Sequence, residues 1–148
     1  MDKKIIAIGS DHAGFYYKHL IINFLKKKGY KIKDFGCYLY NQIVDYPDFI
    51  HPTSNFVNIG KANFGIILCG TGNGAAMIAN KYNKIRAAIV WNKEIARLAK
   101  KHNNANIISI PSRFLTTHDL LDIVNLFLET NFENGRHKTR IGKIPILV

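Results

Sequence analysis

Short runs of β-branched and apolar residues recur along the chain, each bounded by glycine, asparagine, lysine or proline. KIIAIG (4–9), YKIKDFG (30–36), FGIILC (64–69), IRAAIV (85–90) and ANIISI (105–110) have the length and composition of strands. Between them the apolar period lengthens to that of a helix. In FYYKHLIINFLKKKG, Phe15, His19, Ile22 and Lys26 fall down one side with Leu20, Ile21, Phe24 and Leu25 beside them, and Gly29 stands at the C-cap position. NKEIARLAKKH sets Ile95, Leu98, Ala99 and His102 at i, i+3, i+4 and i+7, with Asn92 as N-cap. TTHDLLDIVNLFLET is amphipathic too, and Thr116 and Asp119 have the spacing of a capping box. The segment 48–61 is the least regular, and Pro52 near its start predicts a broken helix.

Strands alternating with helices at this spacing imply a parallel sheet covered on both faces. The expected fold is a doubly wound, Rossmann-like α/β domain of five strands in three layers. The 148 residues make a single domain, with a C-terminal helix or tail from about residue 131. The terminal IPILV has no assignment. In such sheets ligands bind outside the carboxyl ends of the strands. Ser10-Asp11-His12, Gly36-Cys37-Tyr38, the stretch 69–74, Trp91-Asn92 and Pro111-Ser112-Arg113 therefore gather on one edge.

Composition narrows the setting. Cys37 and Cys69 are the only cysteines and form no metal or redox spacing, which suits a reducing, cytoplasmic compartment better than a disulfide scaffold. No stretch approaches the roughly 18 apolar residues of a membrane span, so no membrane partner is expected. The net charge of +11 comes mainly from lysines dispersed along the chain, a poor match to a nucleic-acid stripe. The five arginines, Arg86, Arg97, Arg113, Arg136 and Arg140, stand out in a chain that otherwise uses lysine, and hint at bidentate recognition.

LCGTGNG (68–74) is the segment richest in chemistry. A strand running into closely spaced glycines and then a helix aims backbone N–H groups at one point, an arrangement that binds anions. The spacing is not that of a dinucleotide site, no acidic residue ends the next strand, and the Walker lysine is missing. Cys69 at the mouth of this loop is either a small core residue or a thiolate favoured by the helix terminus and able to act as a base. Local physics leaves both open.

GSDHAG (9–14), DYP (45–47), LCGTGNG (68–74), ANKYNKIRAA (79–88), HNNANI (102–107), SR (112–113) and GRHKTR (135–140) together resemble the ribose-5-phosphate isomerase type B family. That family also takes in isomerases of galactose 6-phosphate and allose 6-phosphate. The resemblance implies an aldose–ketose isomerase of the pentose phosphate pathway that works through a cis-enediolate, without metal or cofactor, on a small sugar phosphate. It makes Cys69 the proton-shuttling base, and Gly70, Thr71, Gly72, Asn73 and Gly74 the cradle of the enediolate oxygens. His102, helped by Asn103, becomes the ring opener, while Asp11 and His12 bind near the ring oxygen and phosphate. Arg113, Arg136 and Arg140 contact the phosphate, His137 assists, and Tyr46 lines the sugar pocket. His19, His51, His118 and Cys37 are left to structure or surface.

Ala75 after the last loop glycine places the chain with the cysteine-base subtype rather than the glutamate one. Pro111 stands where the family commonly has glycine. A hexose 6-phosphate isomerase using the same residues, and a sugar-phosphate sensor needing neither Cys69 nor His102, are the alternatives. Geometry adds one expectation. A helix that leaves the carboxyl edge after the fourth strand ends at the opposite edge, so His102 is expected far from its own Cys69. A homodimer sharing its sites across the interface would reunite them, in keeping with the family's habit.

Overall fold

The computed structural model describes residues 3–147. Five parallel strands, β1 (Ile5–Ser10), β2 (Lys31–Asp34), β3 (Phe64–Cys69), β4 (Ala87–Ile89) and β5 (Ile107–Pro111), lie in the order β2-β1-β3-β5-β4. Right-handed crossovers then dictate the layers. The chain moves one way from β1 to β2 and back the other way to β3, so α1 (Phe15–Lys27) and α2 (Pro47–Asn58) fall on opposite faces. It continues in that direction to β4, so α3 (Asn73–Ala79) joins α2; it reverses again to β5, so α4 (Lys93–Asn103) returns to the side of α1, where α5 (Thr117–Glu129) packs against both. A short α6 (Arg136–Gly142) closes against α4.

Successive strand residues point to opposite faces. Ile6, Ile8, Ile66, Leu68, Ile108 and Ile110 therefore enter the α1/α4/α5 layer, around Phe127 and Val124. Ala7, Ile67, Ile107 and Cys69 enter the thinner α2/α3 layer with Ile50, Ala75 and Ala79. The insertion of β5 between β3 and β4 matters most for function. It pairs Leu68 with Ile110 and Cys69 with Pro111, and so brings Arg113 against the glycine loop.

Several expectations from the sequence need correction. Strands β2 and β4 are shorter than expected because both are edges with one ladder each, and the Asn80 side chain covers the edge of β4 by bonding Ala87 N (2.8 Å) and O (3.0 Å). The helix α2 is unbroken: it starts at Pro47, where a proline fits the first turn, and continues through Pro52. On α1 the buried line is Lys18, Ile21, Ile22 and Leu25, whereas His19 and Lys26 face solvent. On α4 it is Ala96, Ala99 and Lys100, leaving Ile95, Leu98 and His102 only partly covered. The expected caps form: Asn92 Oδ1 accepts from Ile95 N (2.8 Å), and Thr116 Oγ1 accepts from Asp119 N (3.3 Å). No helix among the described residues is long and apolar enough to cross a membrane.

Candidate active site

Cys69 ends β3 with its side chain almost fully buried in the α2/α3 layer, so its packing is that of a core residue while its position is the root of the loop. Past it the backbone turns through Gly72 at φ +75°, a left-handed conformation that glycine adopts without strain. Two bonds fix the turn. Ser109 Oγ donates to Gly72 O (2.7 Å), and Arg113 N donates to Gly70 O (3.1 Å). Thr71 Oγ1 accepts from Asn73 N (3.2 Å) at the start of α3.

Two side chains cover this loop. A Cβ on Gly74 would stand 2.6–2.8 Å from the Tyr46 ring and hydroxyl, so the loop can lie against that phenol only because residue 74 has no side chain. Arg113 lies over Gly70, its Nη1 3.1 Å from where a Cβ would be. Across the β1 side, Asp11 N donates to Leu68 O (3.3 Å), and the buried Asp11 carboxylate accepts from Gly14 N (3.1 Å). His12 is held through Nδ1, which lies 3.2 Å from both the N and the O of Val44. The carboxyl edge thus collects Asp11, His12, Tyr46, Cys69, Gly70, Thr71, Gly72, Asn73, Gly74 and Arg113 around one loop.

The remaining site residues lie elsewhere. Helix α4 starts at the carboxyl edge and its eleven residues, rising roughly 1.5 Å each, carry His102 and Asn103 to the opposite edge. There Asn106 N bonds Arg86 O, and Asn106 O accepts from Gly65 N at the start of β3. The His102 and His137 rings stack with centroids 4.2 Å apart and planes 11° from parallel. A cavity of about 370 Å³ is lined by His102, Asn103, His137, Arg140, Ile141 and Ile144. Arg136 and Arg140 do stand one helical turn apart, on α6, but with this cluster and not with Arg113. His137 is buried, and that burial pushes its imidazole pKa down, assisted by the charges of His102 and Arg136.

Glu133, which the sequence did not single out, belongs to this second cluster. Its Oε2 lies 3.6 Å from His102 Nε2, 3.7 Å from His137 Nε2 and 3.9 Å from Lys101 Nζ. Its place four residues before His137 was the available signal. Two of the five arginines do structural work. Arg86 donates to Asn103 O (3.1 Å) and Asn104 O (2.9 Å), capping the carbonyl end of α4, and Arg97 is a bidentate partner of Glu94 on the surface. Of the histidines left to structure, His51 bonds Tyr82 and His19 bonds Phe15 O.

The doubly wound sheet with a thiol-rooted glycine loop at its carboxyl edge fits the sugar-phosphate isomerase class that the motifs resemble. A family model described as Ribose/Galactose Isomerase matches residues 6–144, and the chain belongs to that family. The structure of ribose-5-phosphate isomerase B from Clostridium thermocellum is similar at 45% identity and TM-score 0.92, covering 95% of this chain and 94% of that one. The Mycoplasma genitalium ribose-5-phosphate isomerase B, solved with bound ribulose-5-phosphate, is 41% identical with TM-score 0.91, covering 95% and 93%. Ribose-5-phosphate isomerase B of Mycobacterium leprae is 39% identical over 92% of this chain and 85% of its own length.

Proposed function

We propose that the chain, as one domain over residues 1–148, interconverts ribose 5-phosphate and ribulose 5-phosphate in the cytoplasm, as a step of the pentose phosphate pathway. The observation that carries the proposal is the thiol of Cys69 at the root of a loop whose amides are bared by glycines and roofed by Tyr46 and Arg113. That arrangement suits a proton shuttle between adjacent carbons. Cys69 as thiolate takes the proton from C2 of the open-chain aldose, the C1 carbonyl oxygen gains charge, and the thiol returns the proton to C1 while the O2 hydroxyl proton moves to O1. The loop amides of residues 70–74 and Thr71 hold the charged enediolate oxygens, electrostatic stabilisation worth about 10² to 10³ in rate per donor. The phosphate is neutralised by Arg113, Arg136 and Arg140, and Asp11 and His12 orient the sugar.

A pentose phosphate is mostly a closed ring, and opening it needs a proton donor and acceptor at its oxygens. His102, steadied by Asn103 and His137, takes that role, since an imidazole ring can both donate and accept a proton. Its position at the far edge, away from Cys69 of its own chain, supports a site completed by a second copy of the chain. In the homodimer, His102, Asn103, His137, Arg136 and Arg140 of one protomer face the glycine loop of its partner. The side of the molecule running between the two clusters supports this: the short edge strand β4 is only partly buried, Met77 is 67% exposed, and cavities of about 400 and 410 Å³ flank the strand.

The test is purified protein given ribose 5-phosphate, with ketose formation followed directly and the parallel rate on allose 6-phosphate measured. Turnover of the pentose that Cys69→Ala abolishes supports the proposal. No turnover, or a faster rate on the hexose, overturns it.

A further inference from the structure

We propose that His102, Glu133 and His137 form a capture site for a borderline divalent ion of the zinc type, and that this ion shuts off the enzyme. Their donor atoms, two imidazole nitrogens and a carboxylate oxygen, all lie within 4.8 Å of one another. With metal–ligand bonds of about 2.0–2.1 Å, tetrahedral donors stand roughly 3.3 Å apart. The two separations from Glu133 Oε2, 3.6 and 3.7 Å, are therefore within a few tenths of an ångström of that spacing. The larger adjustment falls on His102, whose ring must tilt out of its parallel stack. Its side chain is 36% exposed and free to do so, whereas His137, at 7%, is held.

A second observation points independently to a ligand. His137 Nε2 is buried and has no hydrogen-bond partner among the described residues, and it faces Glu133 Oε2 at a distance too long for a hydrogen bond. A buried ring nitrogen left unsatisfied presents its lone pair to an incoming group once the ring proton sits on Nδ1, the tautomer that a metal ion selects. The cavity lined by His102, Asn103 and Arg140 gives that group an approach and leaves room for water on the ion's open side. Two imidazoles and one carboxylate suit Zn²⁺ and are too few oxygens for Mg²⁺ or Ca²⁺.

The surroundings set the strength. Lys101 Nζ stands 3.9 Å from Glu133 Oε2, and Arg136 and Arg140 share the helix of His137, so positive charge opposes the ion and only one carboxylate favours it. The site is accordingly weaker than a closed four-ligand zinc site and exchanges its ion. Zinc held there removes the imidazole nitrogens from proton transfer and competes with the sugar phosphate. The inhibition rests on the function proposed above; the binding does not.

The experiment titrates Zn²⁺ into the intact protein against a chromogenic chelator, with Mg²⁺ as control, and measures ketose formation in the same samples. Expected are one Zn²⁺ per chain, inhibition competitive with ribose 5-phosphate and reversed by EDTA, and no effect of Mg²⁺. Glu133→Gln and His137→Asn should weaken binding by at least about 10- to 100-fold, while Cys69→Ala should keep it. Lys101→Ala, which removes the nearest opposing cation without touching a donor, should tighten it severalfold; this arm stands even where His137→Asn fails to fold. Zinc binding that survives loss of Glu133 and His137, or that vanishes with Cys69, overturns the site. Turnover with no zinc bound also sinks it while sparing the isomerase; zinc bound as described without turnover of any sugar phosphate does the reverse.

Discussion

Under the proposed function, the glycine loop and the end of α4 carry the two halves of the chemistry in opposite ways. Around the loop the reactive groups are backbone amides and one buried thiol, fixed by Ser109, Arg113 and the pairing of β3 with β5. At the far edge they are side chains on helix ends: a partly exposed His102, exposed arginines, and a carboxylate shared by two imidazoles. Charge that develops during a reaction is best met by donors that need no reorganisation. Proton transfer to a ring oxygen and capture of a mobile phosphate instead suit groups that titrate and move. The difference predicts that damage at the loop abolishes the chemical step, and damage at the helix end impairs what precedes it.

The largest effects separate the two halves directly. Cys69→Ala should lower kcat by about 10³- to 10⁴-fold on every substrate, and His102→Asn by about 10²-fold on ribose 5-phosphate. A four-carbon aldose phosphate, which cannot close a ring onto its phosphorylated O4, sharpens the contrast. On it, His102→Asn should retain nearly full kcat and Cys69→Ala should stay inactive. Equal losses for the two variants on the open-chain sugar would erase the division of labour.

Next in size is complementation. In a symmetric dimer each mixed pair of Cys69→Ala and His102→Asn chains rebuilds one intact site and one doubly defective site. Random mixing at equal amounts then restores about one quarter of wild-type activity. Mixed preparations that stay inactive would place both residues of a site in one chain and refute the shared-site dimer.

The two halves also differed in how far they could be inferred from the sequence. The glycine loop was legible because its determinants are local: the strand FGIILC, the alternate glycines and the helix behind them lie within a few residues. Asn92 and Thr116 were legible as caps for the same reason. The order of the sheet was not, because placing β5 between β3 and β4 depends on which edge returns to which, and no short window encodes that. Glu133 was missed since two of its three partners, His102 and Lys101, lie some thirty residues away, and only His137 is local. Lys18 was missed likewise. It sits on the buried face of α1, fully covered, because its ammonium meets Asp34 Oδ1 at 2.7 Å and Cys37 O at 2.8 Å, partners supplied by the end of β2. Helical periodicity alone assigns such a lysine to solvent.

A smaller effect tests how tightly the loop is built. Gly74→Ala drives a methyl into the Tyr46 ring, so either the loop or the phenol must move. A loss of about tenfold in kcat/KM is expected, in line with the roughly 1–3 kcal/mol of an overpacked contact. The double variant Gly74→Ala, Tyr46→Ala should recover part of that loss. If adding Tyr46→Ala makes matters worse, the ring is doing more than occupying space above the glycine.

The smallest prediction concerns a second buried lysine, on the very helix that brings His102 to the far edge. Lys100 and His102 are two positions apart, about 200° around the helix, and Lys100 turns inward, its Nζ 3.7 Å from the Phe64 ring centroid and 5.1 Å from that of Phe127. Unlike Lys18 it meets no carboxylate among the described residues. Burial, with the nearby charges of Lys4 and Arg86, lowers its pKa from 10.5 to about 8. A cation over an aromatic face recovers about 0.5–2 kcal/mol, against a desolvation cost of up to about 3 kcal/mol implied by such a shift. Desolvation wins, so Lys100→Met should raise stability by about 1 kcal/mol at neutral pH, measured by urea denaturation. The sign with pH follows from linkage. Between about 8 and 10.5 the unfolded chain holds a proton at this position that the folded chain has released, so stability of the parent rises through that window. The advantage of Lys100→Met should therefore be complete below pH 8 and fade as pH approaches 10.5. A destabilised Lys100→Met, or an advantage independent of pH, would mean that the aromatic faces more than compensate the ammonium for its lost water.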